Sequence, residues 1–168
     1  MTGKTHMAVG LSSCVVLTAI FPTTLTVAET VVSPTLGILA TIPGSLGPDI
    51  DISGSTASRK FPLFAKILTH RGFTHTLVIP AILYAILYYS GSGLMLNSQI
   101  FGFLFGWVMH IFADMLNRKG VPLFYPLSTR KVHIMTIRTG KIDEKIFLVV
   151  WCILCAIAYV YLKHLGGL

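Results

Sequence analysis

A series of apolar runs of membrane-spanning length, separated by short basic connections, constrains this chain more than any other feature. A helix needs roughly 20 predominantly apolar residues to cross the hydrocarbon core. The run from Met7 to about Val27 is long enough, and Lys4 and His6 precede it. A second full span runs from His75 to about Leu96, with an early Pro80 that a membrane helix tolerates as a local kink. Two further spans run from Ile100 to about Leu116 and from Ile146 to about Leu162. Between the first two, Ser33-Pro34 opens a shorter run, Thr35 to about Leu46, loosened by Gly37, Pro43, Gly44 and Gly47. That length fits a thin, broken membrane helix or a re-entrant segment whose irregular backbone lines a protein cavity. The expected fold is therefore all-α: a polytopic membrane bundle of four to five segments, one of them short or re-entrant, in one integral-membrane domain over residues 1–168. A secretory signal ending near Thr26-Val27-Ala28 is the competing reading of the first run.

Composition excludes the soluble alternatives. With 54% hydrophobic and 11% charged residues the chain is too apolar for an ordinary soluble domain. A net charge of +7 would suit nucleic acid, but the basic residues lie between apolar runs, where membrane topology accounts for them. Nucleic acid is not expected as a partner, and binding of DNA or a regulatory protein by the loop from Arg118 to Lys145 is a minor reading. With the amino terminus inside, the cytoplasmic set comprises Lys4, Arg59, Lys60, Lys66, Arg71, Arg118, Lys119, Arg130, Lys131, Arg138, Lys141 and Lys145, and leaves Lys163 outside. This bias predicts a multi-pass protein of a bacterial or archaeal cytoplasmic (inner) membrane. Cys14, Cys152 and Cys155 sit inside apolar runs, where a thiol behaves as a small hydrophobe. The stretch from Ile52 to Thr74 reads as an amphipathic helix on the membrane face, and Gly102 and Gly106 form a small-xxx-small pair suited to close helix packing.

The topology brings polar residues together. His6 lies at the start of the first helix, Asp49 and Asp51 follow the short run, His70 and His75 flank a turn at Gly72, and His110 and Asp114 close the fourth segment. All fall on the cytoplasmic side. Thr74 is placed to cap a helix beginning at His75, and a four-residue spacing puts His110 and Asp114 on one helix face. Ionisable groups at the membrane edge are costly and pair with each other, an ion or a substrate. Imidazole mixed with carboxylate, without thiolate, suits Zn, Mn or Fe. Seven such groups exceed one four-coordinate site and match two ions, most simply Zn with Mn as the alternative. Each also has a bland reading, as a cap, a headgroup-facing residue or an intramembrane hydrogen-bonded pair. For His133 and His164 the surface reading is preferred.

Gly3-x-x-His6, Pro48-Asp49-Ile50-Asp51, His70-Arg71-Gly72-Phe73-Thr74-His75-Thr76 and His110-Ile111-Phe112-Ala113-Asp114-Met115-Leu116, followed by Gly120-Val121-Pro122-Leu123, give the chain a resemblance over residues 3 to about 138. It resembles the YdjM family, also called DUF457, of membrane-bound metal-dependent hydrolases. Thr76 stands where serine is common. The resemblance implies an inner-membrane protein grouped by analogy with zinc-dependent phospholipase C and nuclease-type enzymes, with a link in some bacteria to SOS regulation. The expected activity is metal-assisted hydrolysis of a phosphoester, in a lipid or lipid-linked substrate, at the cytoplasmic membrane surface. His6, Asp49, Asp51, His70, His75, His110 and Asp114 would bind the metals, Arg71, with Arg138 or Lys131, would neutralise phosphate oxygens, and Asp49, Arg71 and Asp114 are the candidate catalytic residues. The alternative is a non-catalytic membrane protein holding a structural or regulatory metal.

Overall fold

The computed structural model describes residues 1–27, 30–51, 72–89 and 93–165. Helix α1 (Gly3–Ile20) starts where the Thr2 side chain accepts a hydrogen bond from the Thr5 amide. It stops at Ile20, short of the expected Val27. Pro22 disfavours helical backbone at Phe21, and the β-branched residues that follow favour extended structure. They form a two-stranded antiparallel hairpin, β1 (Leu25–Val27) and β2 (Thr30–Val32), in register Leu25↔Val32.

The short run is broken as expected. Helix α2 (Pro34–Gly37), capped by the Ser33 side chain, passes through a 3₁₀ turn (Ile38–Ala40) into helix α3 (Thr41–Leu46), and a second 3₁₀ turn follows (Pro48–Asp51). A third such turn, Phe73–His75, precedes helix α4 (Val78–Tyr89). Helix α4 has 12 residues, about 18 Å, which falls short of a span of about 30 Å. Pro80 lies in its first turn, where the missing N–H costs nothing and no kink is needed. Helix α5 runs Leu94–Met115 and helix α6 runs Ile142–Leu165.

Among the described residues three helices, α1, α5 and α6, have the length and apolarity to cross a membrane, against the expected four to five segments. Helix α5 begins six residues earlier than expected, so Asn97 and Ser98 are buried helical residues instead of an exit loop. Ser98 achieves this by donating to the Leu94 carbonyl (2.6 Å) and accepting from the Ser33 amide (2.8 Å). The amphipathic segment expected over Ile52–Thr74 lies almost wholly outside the described residues.

The core is built on backbone proximity. A Cβ at Gly102 would collide with the Gly37 carbonyl oxygen, one at Gly44 with the Phe103 carbonyl oxygen, and one at Gly106 with the Thr41 carbonyl oxygen. Helices α2 and α3 therefore lie directly against α5, the close approach anticipated from Gly102 and Gly106. Helix α1 packs on α3, α5 and α6. The polarity is inside-out relative to a soluble protein. Ile146, Val149, Ile153, Ile157 and Val160 of α6 face outward, whereas Thr5, His6, Thr41, Ser45, His110 and Asp114 are buried. Overpacking a tight core typically costs about 1–3 kcal/mol. Gly106→Leu is accordingly expected to lower the detergent-solubilised melting temperature sharply, while Gly93→Ala, whose Cβ meets no neighbour, leaves it within a degree or two; equal effects in a thermal-shift assay would contradict this packing.

Candidate metal centre

Four separate elements converge at one end of the bundle. Helix α1 contributes His6, the turn after α3 Asp49 and Asp51, the turn before α4 His75, and the last two turns of α5 His110 and Asp114. All six are buried, and His6, His75 and His110 have no exposed surface. The helix α6 start closes the same end, with Glu144 accepting from the Thr2 amide (2.6 Å) and the Gly140 amide (2.5 Å).

The donor atoms fall into two overlapping groups. His6, Asp49 and His110 form one, and His75, His110 and Asp114 the other, each with its ligand-type atoms within 4.8 Å of one another. His110 belongs to both. Its Nε2 lies 3.3 Å from His75 Nε2 and 3.5 Å from Asp49 Oδ1. His75 Nε2 is 3.7 Å from Asp114 Oδ2 and 3.8 Å from Asp49 Oδ1. The His6 ring stacks on His110, with centroids 3.6 Å apart, and its Nε2 is 3.4 Å from Asp114 Oδ1. The Met1 ammonium donates to the same carboxylate oxygen.

Outer contacts decide which way the imidazoles present their lone pairs. His110 Nδ1 donates to the Ser45 carbonyl at 2.7 Å, which commits the proton of a neutral ring to that side and turns the Nε2 lone pair into the cluster. His75 Nδ1 faces Asp51 Oδ2 at 3.4 Å and the Thr74 hydroxyl at 3.1 Å. The Thr74 hydroxyl donates to Asp51 (2.7 Å), and the Trp107 indole N–H donates to the Thr74 carbonyl (3.0 Å), pinning the turn to α5. Carboxylate or carbonyl partners on the outer nitrogen of an imidazole are the usual supports of metal-ligating histidines. Among the described residues His6 Nδ1 has no hydrogen-bond partner, and its Nε2 has only the long 3.4 Å approach to Asp114 Oδ1. A buried polar atom in that condition is expensive. The donor set fits a divalent ion: mutually facing lone pairs, carboxylates beside them and an orphaned imidazole are what a cation would satisfy. Burial pushes the Asp49 carboxyl above its ordinary value, opposed by the nearby His6 and His75.

Six of the seven expected metal-binding residues are thus brought together, and the seventh, His70, lies outside the described residues with Arg71. Asp51 sits against the Nδ1 edge of His75, outside the two donor groups formed among the described residues. One detail departs from expectation. Thr74 does not cap α4, because its hydroxyl is engaged by a buried carboxylate; Thr76 takes that place, accepting from the Val78 amide at 3.2 Å. Arg138 is exposed and pairs with Asp143 at 3.2 Å. Ser45, Trp107 and Glu144 were not anticipated. Trp107 stands three residues before His110 on one helix face, a signal the sequence does carry; the Ser45 carbonyl carries none.

The family model described as YdjM inner membrane protein matches residues 1–166. The chain belongs to the YdjM inner membrane protein family. It is 28% identical over 152 residues to the uncharacterized protein YvsG of Bacillus subtilis, covering 88% of each chain. It is 32% identical over 116 residues to the inner membrane protein YdjM of Escherichia coli, covering 63% of this chain and 59% of that protein, and matches YdjM of Shigella flexneri to the same extent. No solved structure matches.

Proposed function

We propose that this membrane protein is a metal-dependent hydrolase acting on a phosphoester of a lipid or lipid-linked substrate at the cytoplasmic surface of the inner membrane, with its amino terminus inside. The observation that carries the reading is His110: its outer nitrogen is fixed by the Ser45 carbonyl, and its inner lone pair faces His75 Nε2 at 3.3 Å and Asp49 at 3.5 Å. His6, Asp49, His75, His110 and Asp114 would hold two divalent ions, with His110 shared between the donor groups, and Zn or Mn suits the ligand types. Asp51 and His70 are further candidate ligands.

When bound, such ions polarise a phosphoryl oxygen and acidify water at neutral pH. The protein's own part is orientation. Ser45 holds the His110 ring, Asp51 and Thr74 hold the His75 ring, and Trp107 holds the turn that carries it. Asp49 and Asp114 are the candidates to take the proton of the water whose oxygen bonds to phosphorus and to return it to the alkoxide as the ester P–O bond breaks, so that the alcohol departs neutral. Arg71 would neutralise phosphate oxygens. A lipid phosphate would reach this depth by lateral diffusion, which suits a cluster at one end of the spans.

One observation favours a second reading, a non-catalytic protein with a structural metal: all six clustered residues are buried, and structural sites are closed. Against it, the two donor groups offer more ligands than one closed four-coordinate site uses.

The test is release of phosphorylated headgroup or phosphate from a panel of phospholipids and lipid phosphates by purified protein supplied with Zn or Mn. His110→Ala and Asp114→Ala should lose activity by about 100-fold or more, since a lost ligand or its support typically costs at least 10–100-fold. Metal loading, and turnover with it, should weaken on acidification, because protons compete with metal for the ligands. Metal-loaded protein inert on every lipid tested, with unaltered variants, would leave the structural reading.

A further inference from the structure

The connection between α5 and α6, residues 116–141, carries Arg118, Lys119, Arg130, Lys131, Arg138 and Lys141 and no carboxylate. The five acidic residues among the described residues are committed elsewhere. Asp49, Asp51 and Asp114 belong to the buried cluster, Asp143 pairs with Arg138, and Glu144 accepts from the Thr2 and Gly140 amides; Glu29 lies outside the described residues. Among the described residues neither Arg130 nor Lys131 makes an ion pair. Among the described residues no carboxylate supplies their counter-charge, which leaves them available to an external anion.

This connection has a defined shape. Val121 and Val132 exchange backbone hydrogen bonds at 3.0 and 2.9 Å, and Gly120, at φ +62° in the left-handed region, lets the Val132 carbonyl approach where a Cβ would not fit. The Leu77 amide donates to the Leu123 carbonyl and the Ile134 amide to the Met115 carbonyl, which dock the loop on the turn bearing His75 and on the end of α5. A cleft of about 470 Å³ results, lined by Phe124, Ser128, Arg130, Lys131, Val132 and His133. Around it apolar side chains stand in the open: Leu127 is 94% exposed, and Phe124, Ile134 and Met135 are also exposed.

We propose that this cleft is a docking site for the phosphate-bearing headgroup of an anionic membrane lipid. The charge calls for an anion, and the exposed aliphatic and aromatic rim calls for an apolar medium beside it. A bilayer surface supplies both at the point where two spanning helices end. Nucleic acid would answer the charge but not Leu127, Ile134 and Met135, and free phosphate would leave the apolar rim in water. The proposal stands whether or not the buried cluster is catalytic, since it uses none of the cluster's residues.

Native mass spectrometry of the full-length protein released from detergent, offered equal phosphatidylglycerol and phosphatidylcholine, tests it. Each basic side chain near an anionic surface is worth about 1 kcal/mol, so wild type should retain phosphatidylglycerol about tenfold or more over phosphatidylcholine. Arg130→Gln/Lys131→Gln should lose that preference, and Lys163→Gln, at the far end of α6, should keep it. The proposal is overturned if the double variant keeps the preference, if wild type shows none, or if inorganic phosphate at millimolar concentration displaces the bound lipid from wild type. Ser128→Ala, a milder change, should lower the preference partially and guards against misfolding of the double variant; thermal-shift folding controls accompany both.

Discussion

The hydrogen bond from His110 to the Ser45 carbonyl is where the fold and the candidate site meet. It is available because α3 lies against α5 at backbone distance, and that distance exists because Gly44 and Gly106 present no side chain to the Phe103 and Thr41 carbonyls. Bulk at either glycine would push Ser45 outward and release the His110 ring, and with it the inward lone pair around which His75, Asp49 and Asp114 are arranged. Close packing here serves orientation as much as stability.

The rest of the molecule follows from the solvent it is built for. Helix α6 turns Ile146, Val149, Ile153 and Ile157 outward, which water would not reward and hydrocarbon does. Polar side chains are driven inward in compensation, where each must find a partner. Ser98 bonds across to Ser33, Glu144 gathers the amides of Thr2 and Gly140, and Thr74 engages Asp51. Among the described residues of the cluster, the buried His6 Nδ1 has no hydrogen-bond partner, a lone pair or N–H that a fully satisfied interior would not leave and that a bound cation at this end would account for.

Much of this was legible in the sequence, for physical reasons that differ from residue to residue. Positive-inside counting, with alternating helices, placed His6, Asp49, Asp51, His75, His110 and Asp114 at one end before any geometry was known, and the Gly102 and Gly106 spacing announced the tight contact. The hairpin after α1 was missed because Leu25, Val27, Val31 and Val32 count as apolar in any hydropathy window, although Pro22 and the threonines mark the helix end. The start of α5 was misjudged because Asn97 and Ser98 read as an exit, and their burial depends on a partner, Ser33, 65 residues away for Ser98. Asp51 and Asp49 look alike in sequence, and only three-dimensional placement sets one behind His75 and the other among the donors.

The central claim is that the buried histidines and carboxylates form a metal centre, and metal content tests it most directly. Elemental analysis of detergent-purified protein, never exposed to chelator, should find close to two equivalents of zinc or manganese per chain, as expected for two donor groups sharing His110. Folded protein that carries no stoichiometric metal, and takes none up on incubation with either ion, would contradict the account and leave the cluster as a hydrogen-bonded polar core.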